Sequence, residues 1–168
     1  MNIIAVSLAL LVALATLPAW GQEKEGEQPL STDTLGSALS YEFALDYDVV
    51  FKGVKGALEG LGYEVNYASK RKRLIETSFR QLADADDFFE VMEQYGDIPY
   101  MRSPGWSTGR VKVNVSFEEI DSVRTGIKVL AQLSGFEERF TNIWHYWSSN
   151  GKVEQEVMGA IIAKLEGP

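Results

Sequence analysis

Residues 111–133, VKVNVSFEEIDSVRTGIKVLAQL, decide the fold of this chain. Apolar and polar residues alternate from Val111 to Phe117, and the same period of two returns from Thr125 to Leu133. This alternation predicts two strands that each present one face to a core and the other face to water. Asp121-Ser122 lies between them and predicts a turn, so the two strands form an antiparallel hairpin.

Two amphipathic helices and three shorter strands are predicted around this hairpin. The apolar stripes are Val50, Val54, Leu58 and Leu61 in the first helix, and Val153, Val157, Ile161 and Leu165 in the last. Asp46 or Asp48 caps the first helix, and Gly62 ends it. Alternating runs at 41–45, 63–67 and 75–79 predict the additional strands.

The element order predicts an α+β fold of the form β-α-β-β-insertion-β-β-α. We expect an antiparallel sheet of four or five strands with two helices packed on one face. The single domain spans 39–168 and contains a helix-loop insertion at 81–109, in which Asp84 caps a short helix. An aromatic-rich connection is expected at 136–149.

The first residues predict export from the cytoplasm. Residues 3–17 are apolar and uncharged, Pro18 breaks the run, and Ala19 and Gly21 suit cleavage before Gln22. This pattern predicts a signal peptide at 1–21, a flexible leader at 22–38 and a periplasmic or secreted protein. The alternative is an uncleaved N-terminal membrane anchor.

Composition limits the chemistry that the chain can perform. The formal net charge is −8, which disfavours nucleic acid and limits membrane contact to a peripheral kind. The sequence contains no cysteine, so disulfides, a thiol nucleophile, Cys-bound metals and a lipoprotein anchor are excluded. No cofactor is expected, because the glycines follow neither Walker nor dinucleotide spacing.

A resemblance to a known family rests on three segments. They are 50–65, VFKGVKGALEGLGYEV, the run Leu74-Ile75-Glu76-Thr77 after a charged turn, and the closing helix from Glu154 to Leu165. In outline, residues 40–80 and 110–166 resemble the helix-grip domains of bacterial envelope lipoproteins of the BamC type. The resemblance implies a non-enzymatic envelope protein and carries over no catalytic residue. The lipobox Cys is absent here, and the insertion at 81–109 is not part of the family pattern.

Aromatic residues in the predicted loops form the candidate binding site. They are Tyr100, Met101, Trp106, Trp144, Tyr146 and Trp147. Trp and Tyr are enriched at binding hot spots because they bury a large area with few rotatable bonds. The alternative is that both loops fold back and make these side chains part of the core.

Three other clusters have weaker functional interpretations. Lys70-Arg71-Lys72-Arg73 could contact anionic headgroups, although a solvated hairpin turn is the simpler interpretation. Asp84, Asp86, Asp87 and Glu90 lack the glycine of a calcium loop and suit a helix start. His145 is the only histidine and lacks the partners of a triad or a zinc site, so no metal site is expected.

These observations predict an exported, non-enzymatic protein that binds a protein partner or assists an assembly. The alternative is a carrier of a small apolar ligand or lipid, with a cavity between helix and sheet and the aromatic loops at its mouth. An enzyme ranks third, because the chain shows no paired acid and base. A large cavity would favour the carrier, and a filled core with an exposed aromatic patch would favour the interaction protein.

Overall fold

The predicted hairpin is the centre of the structure, a computed structural model that describes residues 38–97 and 105–167. Its strands are longer than expected: β5 spans Trp106–Asp121 and β6 spans Arg124–Glu137. The other elements are β1 Leu39–Phe43, α1 Tyr47–Gly60, β2 Val65–Ser69, β3 Leu74–Thr77, β4 Arg80–Asp84, α2 Phe88–Tyr95, β7 Ile143–Trp147 and α3 Lys152–Glu166. The α+β class and the antiparallel sheet agree with the prediction.

The described residues form seven strands and three helices, rather than four or five strands and two helices. One additional strand, β4, lies in the segment predicted as a helix-loop insertion, and β5 begins inside the same segment. The other, β7, lies in the segment predicted as a connection. The short helix of the insertion is present, but Asp87 occupies its N-cap position and Asp84 ends β4.

The two long strands, β5 and β6, each pair with one outer strand along one half of their length and with a different outer strand along the other half. One half contains the strands in the order β1-β6-β5-β3-β2, and in the other half β4 pairs with β5 and β7 pairs with β6. On β5 the change falls between Asn114, which pairs with β3, and Val111, which pairs with β4. On β6 it falls between Val129, paired with β1, and Leu133, paired with β7.

The two changes of neighbour coincide at one rung, where Val113 faces Ala131. Side-chain oxygens accept the backbone N–H groups there: Thr77 Oγ1 accepts from Val113 N at 2.9 Å, and Glu154 Oε1 accepts from Ala131 N at 3.0 Å. The Glu154 carboxylate also accepts from Ser149 Oγ at 2.6 Å, and Glu154 is fully buried. These side chains satisfy donors that would otherwise be buried without a partner. We call this rung the junction.

The helix α1 forms where the sequence predicts it. Asp46 Oδ1 accepts a hydrogen bond from Val49 N at 3.1 Å, which caps the helix. Val50, Val54 and Leu58 have no exposed surface and pack on the sheet. Gly62 follows with a φ of 80°, a backbone conformation that glycine adopts without strain.

The helix α3 closes the same face of the sheet. It contacts α1, α2, β1 and β6, and it buries Val153, Val157, Met158 and Ile161. The predicted apolar stripe is therefore confirmed for Val153, Val157 and Ile161, while Leu165 packs at the edge of the core. A Cβ at Gly53 of α1 would collide with the Leu165 side chain, so the two helices approach closely at this point.

The helix α2 occupies a notch between two facing glycines. Gly109 of β5 and Gly135 of β6 are partners in the sheet. A Cβ on Gly135 would lie 2.8 Å from Phe88 Cζ and 3.0 Å from Trp147 Cζ2, and one on Gly109 would collide with Met92. Phe88 and Met92, the two α2 side chains that fill this notch, are both buried. Within the described ranges, no helix is long and apolar enough to cross a membrane.

Candidate functional site

The candidate site is the sheet face opposite the three helices. Because successive strand residues point to opposite faces, the neighbours of the core positions on β5 and β6 project away from the helices. They are Arg110, Lys112, Asn114 and Ser116 on β5, and Lys128, Leu130, Gln132, Ser134 and Phe136 on β6. We call this surface the open face, since the helix side chains in the core lie on the other side of the sheet.

The centre of the open face is a cation held between two aromatic rings. The guanidinium carbon of Arg110 lies 3.9 Å from the Phe79 ring centroid and 3.5 Å from the Trp144 ring centroid. Arg110 Nε also donates to Ser134 Oγ at 2.9 Å. Cation–π contacts of this kind contribute about 0.5–2 kcal/mol each. The stack therefore holds Arg110 in one conformation and forms a second layer over Ser134, which is fully buried.

Further aromatic and basic side chains extend the stack. The Phe136 ring lies 5.2 Å from that of Trp144, and Lys112 Nζ lies 4.9 Å from the centroid of Phe79. Tyr146, two residues after Trp144 on β7, projects to the same face and is half-buried. The result is a row of partly exposed rings and cations that runs from Phe79, just before β4, across β5, β6 and β7.

A shallow groove of about 680 Å³ lies at the other end of the open face. Gly126 of β6 lacks a side chain there, and Ile120 and Lys128 border the resulting depression. Glu42 and Glu118 also line it, so this end of the face is more acidic than the aromatic row.

The structure divides the predicted aromatic site between the two sides of the sheet. Trp144 and Tyr146 lie on the open face and are partly buried. Trp106 and Trp147 lie in the core with only 6% and 3% of their surface exposed. Their rings pack 5.1 Å apart, and both contact Phe88 of α2, so the alternative interpretation as core residues describes them. Tyr100 and Met101 lie outside the described residues.

Two residues of the stack were not selected from the sequence. Phe79 was assigned to an alternating strand, and Arg110 precedes the first apolar residue of the hairpin. A polar-face position on β5 was recognisable from the alternation, but its aromatic neighbours were not. Trp144 becomes a neighbour only because β7 pairs with β6, where Phe136 faces Trp144.

The predicted basic turn lies between β2 and β3. Lys70 Nζ lies 2.7 Å from Asp48 Oδ1 on α1, and Arg73 pairs with Glu119 at 3.2 Å. Lys72 Nζ lies 5.6 Å from the centroid of the Tyr67 ring. The turn is thus tied to the N-terminal end of α1 rather than to the aromatic row.

Glu137 organises the turn between β6 and β7. Its buried carboxylate accepts hydrogen bonds from Arg139 N and Phe140 N at 3.0 Å, from Thr141 N at 2.6 Å and from Thr141 Oγ1 at 2.8 Å. Burial by itself raises the pKa of Glu137, but the hydrogen bonds from Thr141, Phe140 and Arg139 outweigh it and lower that pKa below its ordinary value.

His145 lies beside this turn. Its Nε2 lies 2.9 Å from Thr141 Oγ1, and its ring meets Trp106 edge-on. Because a carboxylate only accepts, the Thr141 hydroxyl donates its hydrogen bond to Glu137, and its oxygen is the acceptor that faces His145 Nε2. The described residues contain no group of three or more His, Asp or Glu side chains placed to hold a metal ion.

The acidic cluster before α2 binds its own backbone. Asp84 N donates to Asp87 Oδ1 at 3.0 Å, and Asp86 N donates to Asp84 Oδ1 at 3.1 Å. Both carboxylates are therefore used to form the tight turn that leads into α2.

The interface between helices and sheet is closely packed at its centre. Val50, Val54 and Leu58 of α1, Ile161 of α3, and Val113 of β5 all have zero accessible surface. A side chain without accessible surface touches neither solvent nor a void large enough for a water molecule. The side chains at the centre of this interface therefore do not line a ligand cavity.

The sequence matches no model of a known protein family and no curated protein.

Proposed function

We propose that this chain is a non-enzymatic, exported envelope or periplasmic protein that binds a protein partner through its open face. The observation that carries the proposal is the row formed by Phe79, Arg110, Trp144 and Tyr146, which are all partly buried on the open face. Aromatic and arginine side chains dominate the energetics of protein interfaces, where single residues contribute about 2 kcal/mol or more.

The geometry of the row favours a protein partner. Arg110 is held by Phe79, Trp144 and Ser134, so little side-chain entropy is lost when a partner covers it. Immobilising a flexible side chain at an interface costs about 0.5–1.5 kcal/mol of binding free energy. The open face is also broad, because β5 and β6 contribute alternate residues along most of their length.

The packed interface between helices and sheet supports an interaction protein over a lipid or apolar-ligand carrier. The carrier requires a cavity of several hundred Å³ on the helix side of the sheet. The side chains that would line its centre, including Val54, Leu58 and Ile161, have no accessible surface. The resemblance to helix-grip domains supports a non-enzymatic role, and the pattern of a signal peptide at 1–21 supports export.

Site-specific photo-cross-linking in the native host tests the proposal. A photoreactive amino acid replaces Lys112 or Tyr146 on the open face, and the matched control replaces Gln155, which is exposed on α3. We expect discrete protein adducts from positions 112 and 146 and none from position 155. A Trp144→Ala variant, shown to be folded by circular dichroism, should reduce the adduct at position 112.

Two outcomes contradict the proposal. Protein adducts that form from position 155 and not from the open face place the binding surface on the helices. An adduct with the mass of a lipid from position 112 or 146, and no protein adduct, would show that the open face contacts lipid rather than a protein.

A further inference from the structure

Basic residues are concentrated on one face of this acidic chain. The structure brings together the turn at 70–73, the exposed side of α1 and the end of α3. Seven of the 16 Lys and Arg residues lie there: Lys52, Lys55, Lys70, Arg71, Lys72, Arg73 and Lys164. All seven are exposed. We call this surface the α1 face, and the sequence alone showed only its contiguous part at 70–73.

Contacts between the turn and α1 make this surface continuous. Tyr47 OH donates to Lys70 O at 3.0 Å, and Lys70 Nζ pairs with Asp48 at 2.7 Å. Lys52 follows Asp48 by one helical turn. From Asp48 to Gly56 the helix rises about 12 Å, and a Cβ on Gly56 would lie 3.5 Å from Lys164 Cε.

Ion pairs involve fewer than half of the basic residues of the α1 face. Three of its seven basic residues form ion pairs, Lys55 with Glu59, Lys70 with Asp48 and Arg73 with Glu119. In the described part of the chain, the other four make no ion pair within 4.0 Å; they are Lys52, Arg71, Lys72 and Lys164. Their charge is therefore available to an anionic surface, although the whole chain has a net charge of −8.

An apolar groove runs between the lysines of the α1 face. It has a volume of about 660 Å³ and lies where α1 and α3 meet. Gly53 and Gly56 form its floor, Leu165 forms one wall, and Val49 is 45% exposed at its edge. Lys52, Lys55 and Lys164 border it, together with Glu59, which pairs with Lys55.

We propose that the α1 face docks on the surface of an anionic lipid bilayer. The lysines would contact lipid phosphates, while Val49 and the apolar lining of the groove would contact the apolar region below the headgroups. Basic residues near an anionic bilayer attract it additively over a flat area, and an apolar patch bordered by lysines is the arrangement of interfacial helices. The open face lies on the other side of the sheet, so bilayer docking and protein binding do not compete for one surface.

Vesicle binding of the full-length protein tests this proposal. Sedimentation measures the partition coefficient on vesicles of phosphatidylglycerol with phosphatidylcholine and on vesicles of phosphatidylcholine alone, at low and high salt. The variant K52Q/K164Q removes two charges from the α1 face. The matched control K112Q/K128Q removes two charges from the open face. All variants carry the same apolar residues 3–17, whose contribution cancels when variants are compared.

We expect preferential binding to the anionic vesicles, which weakens at high salt. Each lost lysine should reduce the partition coefficient about fivefold, so K52Q/K164Q should reduce it roughly 25-fold. The control should stay within about twofold of the unchanged protein. The proposal is wrong if anionic and neutral vesicles bind equally, or if both variants weaken binding to the same extent, since the second result would reflect net charge alone.

Discussion

Replacing Glu154 by alanine should destabilise the fold more than its position near the start of a helix suggests. The carboxylate lies at the junction, fully buried, and accepts hydrogen bonds from Ala131 N and Ser149 Oγ. Neither β1 nor β7 reaches Ala131 in the pairing of β6. The change therefore leaves a backbone N–H buried without an acceptor.

The expected loss of stability follows from the two donors that lose their acceptor, Ala131 N and Ser149 Oγ. A buried donor without a partner costs about 1–3 kcal/mol. Ala131 N contributes that amount, and the Ser149 hydroxyl and the space left by the side chain add to it, so we expect a loss of about 2–5 kcal/mol in the free energy of unfolding. This is a large fraction of the roughly 5–15 kcal/mol that stabilises a typical domain.

Urea unfolding followed by circular dichroism measures this loss at neutral pH. The control Gln155→Ala changes the next, exposed residue of α3 and should stay within about 0.5 kcal/mol of the unchanged protein. Glu154→Gln keeps an oxygen that can accept from Ala131 N and does not bury a charge, so its loss should be clearly smaller than that of Glu154→Ala. A loss below about 0.5 kcal/mol for Glu154→Ala would refute the role assigned to the carboxylate.

Three further predictions concern the core and the turn after β6. Leu58→Ala and Ile161→Ala should each lower the free energy of unfolding, measured in urea, by about 2–5 kcal/mol, because both side chains are fully buried. Losses below about 0.5 kcal/mol would show that these side chains do not face the core. Gly135→Ala should cost about 1–3 kcal/mol because it crowds the rings under α2. The control is Gly126→Ala, where a Cβ meets only ordinary contacts at 3.7 Å and beyond, so this change should be neutral or slightly stabilising. Equal losses of stability for Gly135→Ala and Gly126→Ala would contradict the close packing of α2 against Gly135. Glu137 has a lowered pKa, so its stabilisation is complete above the unfolded pKa of about 4.3 and is lost as the pH falls through the lower folded value. Glu137→Gln should therefore lose less stability between neutral and acidic pH than the unchanged protein, and an identical pH dependence would argue against this role.

Elements with one buried and one solvent-exposed face could be predicted from the sequence. The hairpin, α1 and α3 each bury one side, so their apolar residues recur with the period of a strand or a helix. Val113 and Leu58, for example, were assigned correctly as core residues, and both are fully buried. Local periodicity is sufficient in these elements because a single interface determines which residues are apolar.

The strand β7 could not be predicted because it carries aromatic side chains on both of its faces. Trp147 packs against Phe88 on the helix side, and Trp144 packs against Arg110 on the open face. A strand with large apolar residues on both faces shows no alternation of apolar and polar residues. The candidate site was therefore only partly predictable, because Trp144 and Trp147 look alike in sequence and lie on opposite sides of the sheet.

The junction has a consequence for how the protein opens. No flanking strand crosses it, so the half containing β1, β2 and β3 is joined to the half containing β4 and β7 mainly by β5, β6 and α3. Arg80 of β4 adds a contact between the halves, because it donates to Leu61 O and stacks on Tyr63. Cooperative units of local unfolding often coincide with such supersecondary groups. The β4, α2 and β7 group can then separate from the sheet while α1 and its strands remain folded. Native-state hydrogen exchange should accordingly show two levels of amide protection with a boundary near Ala131, and uniform protection across both halves would exclude this behaviour.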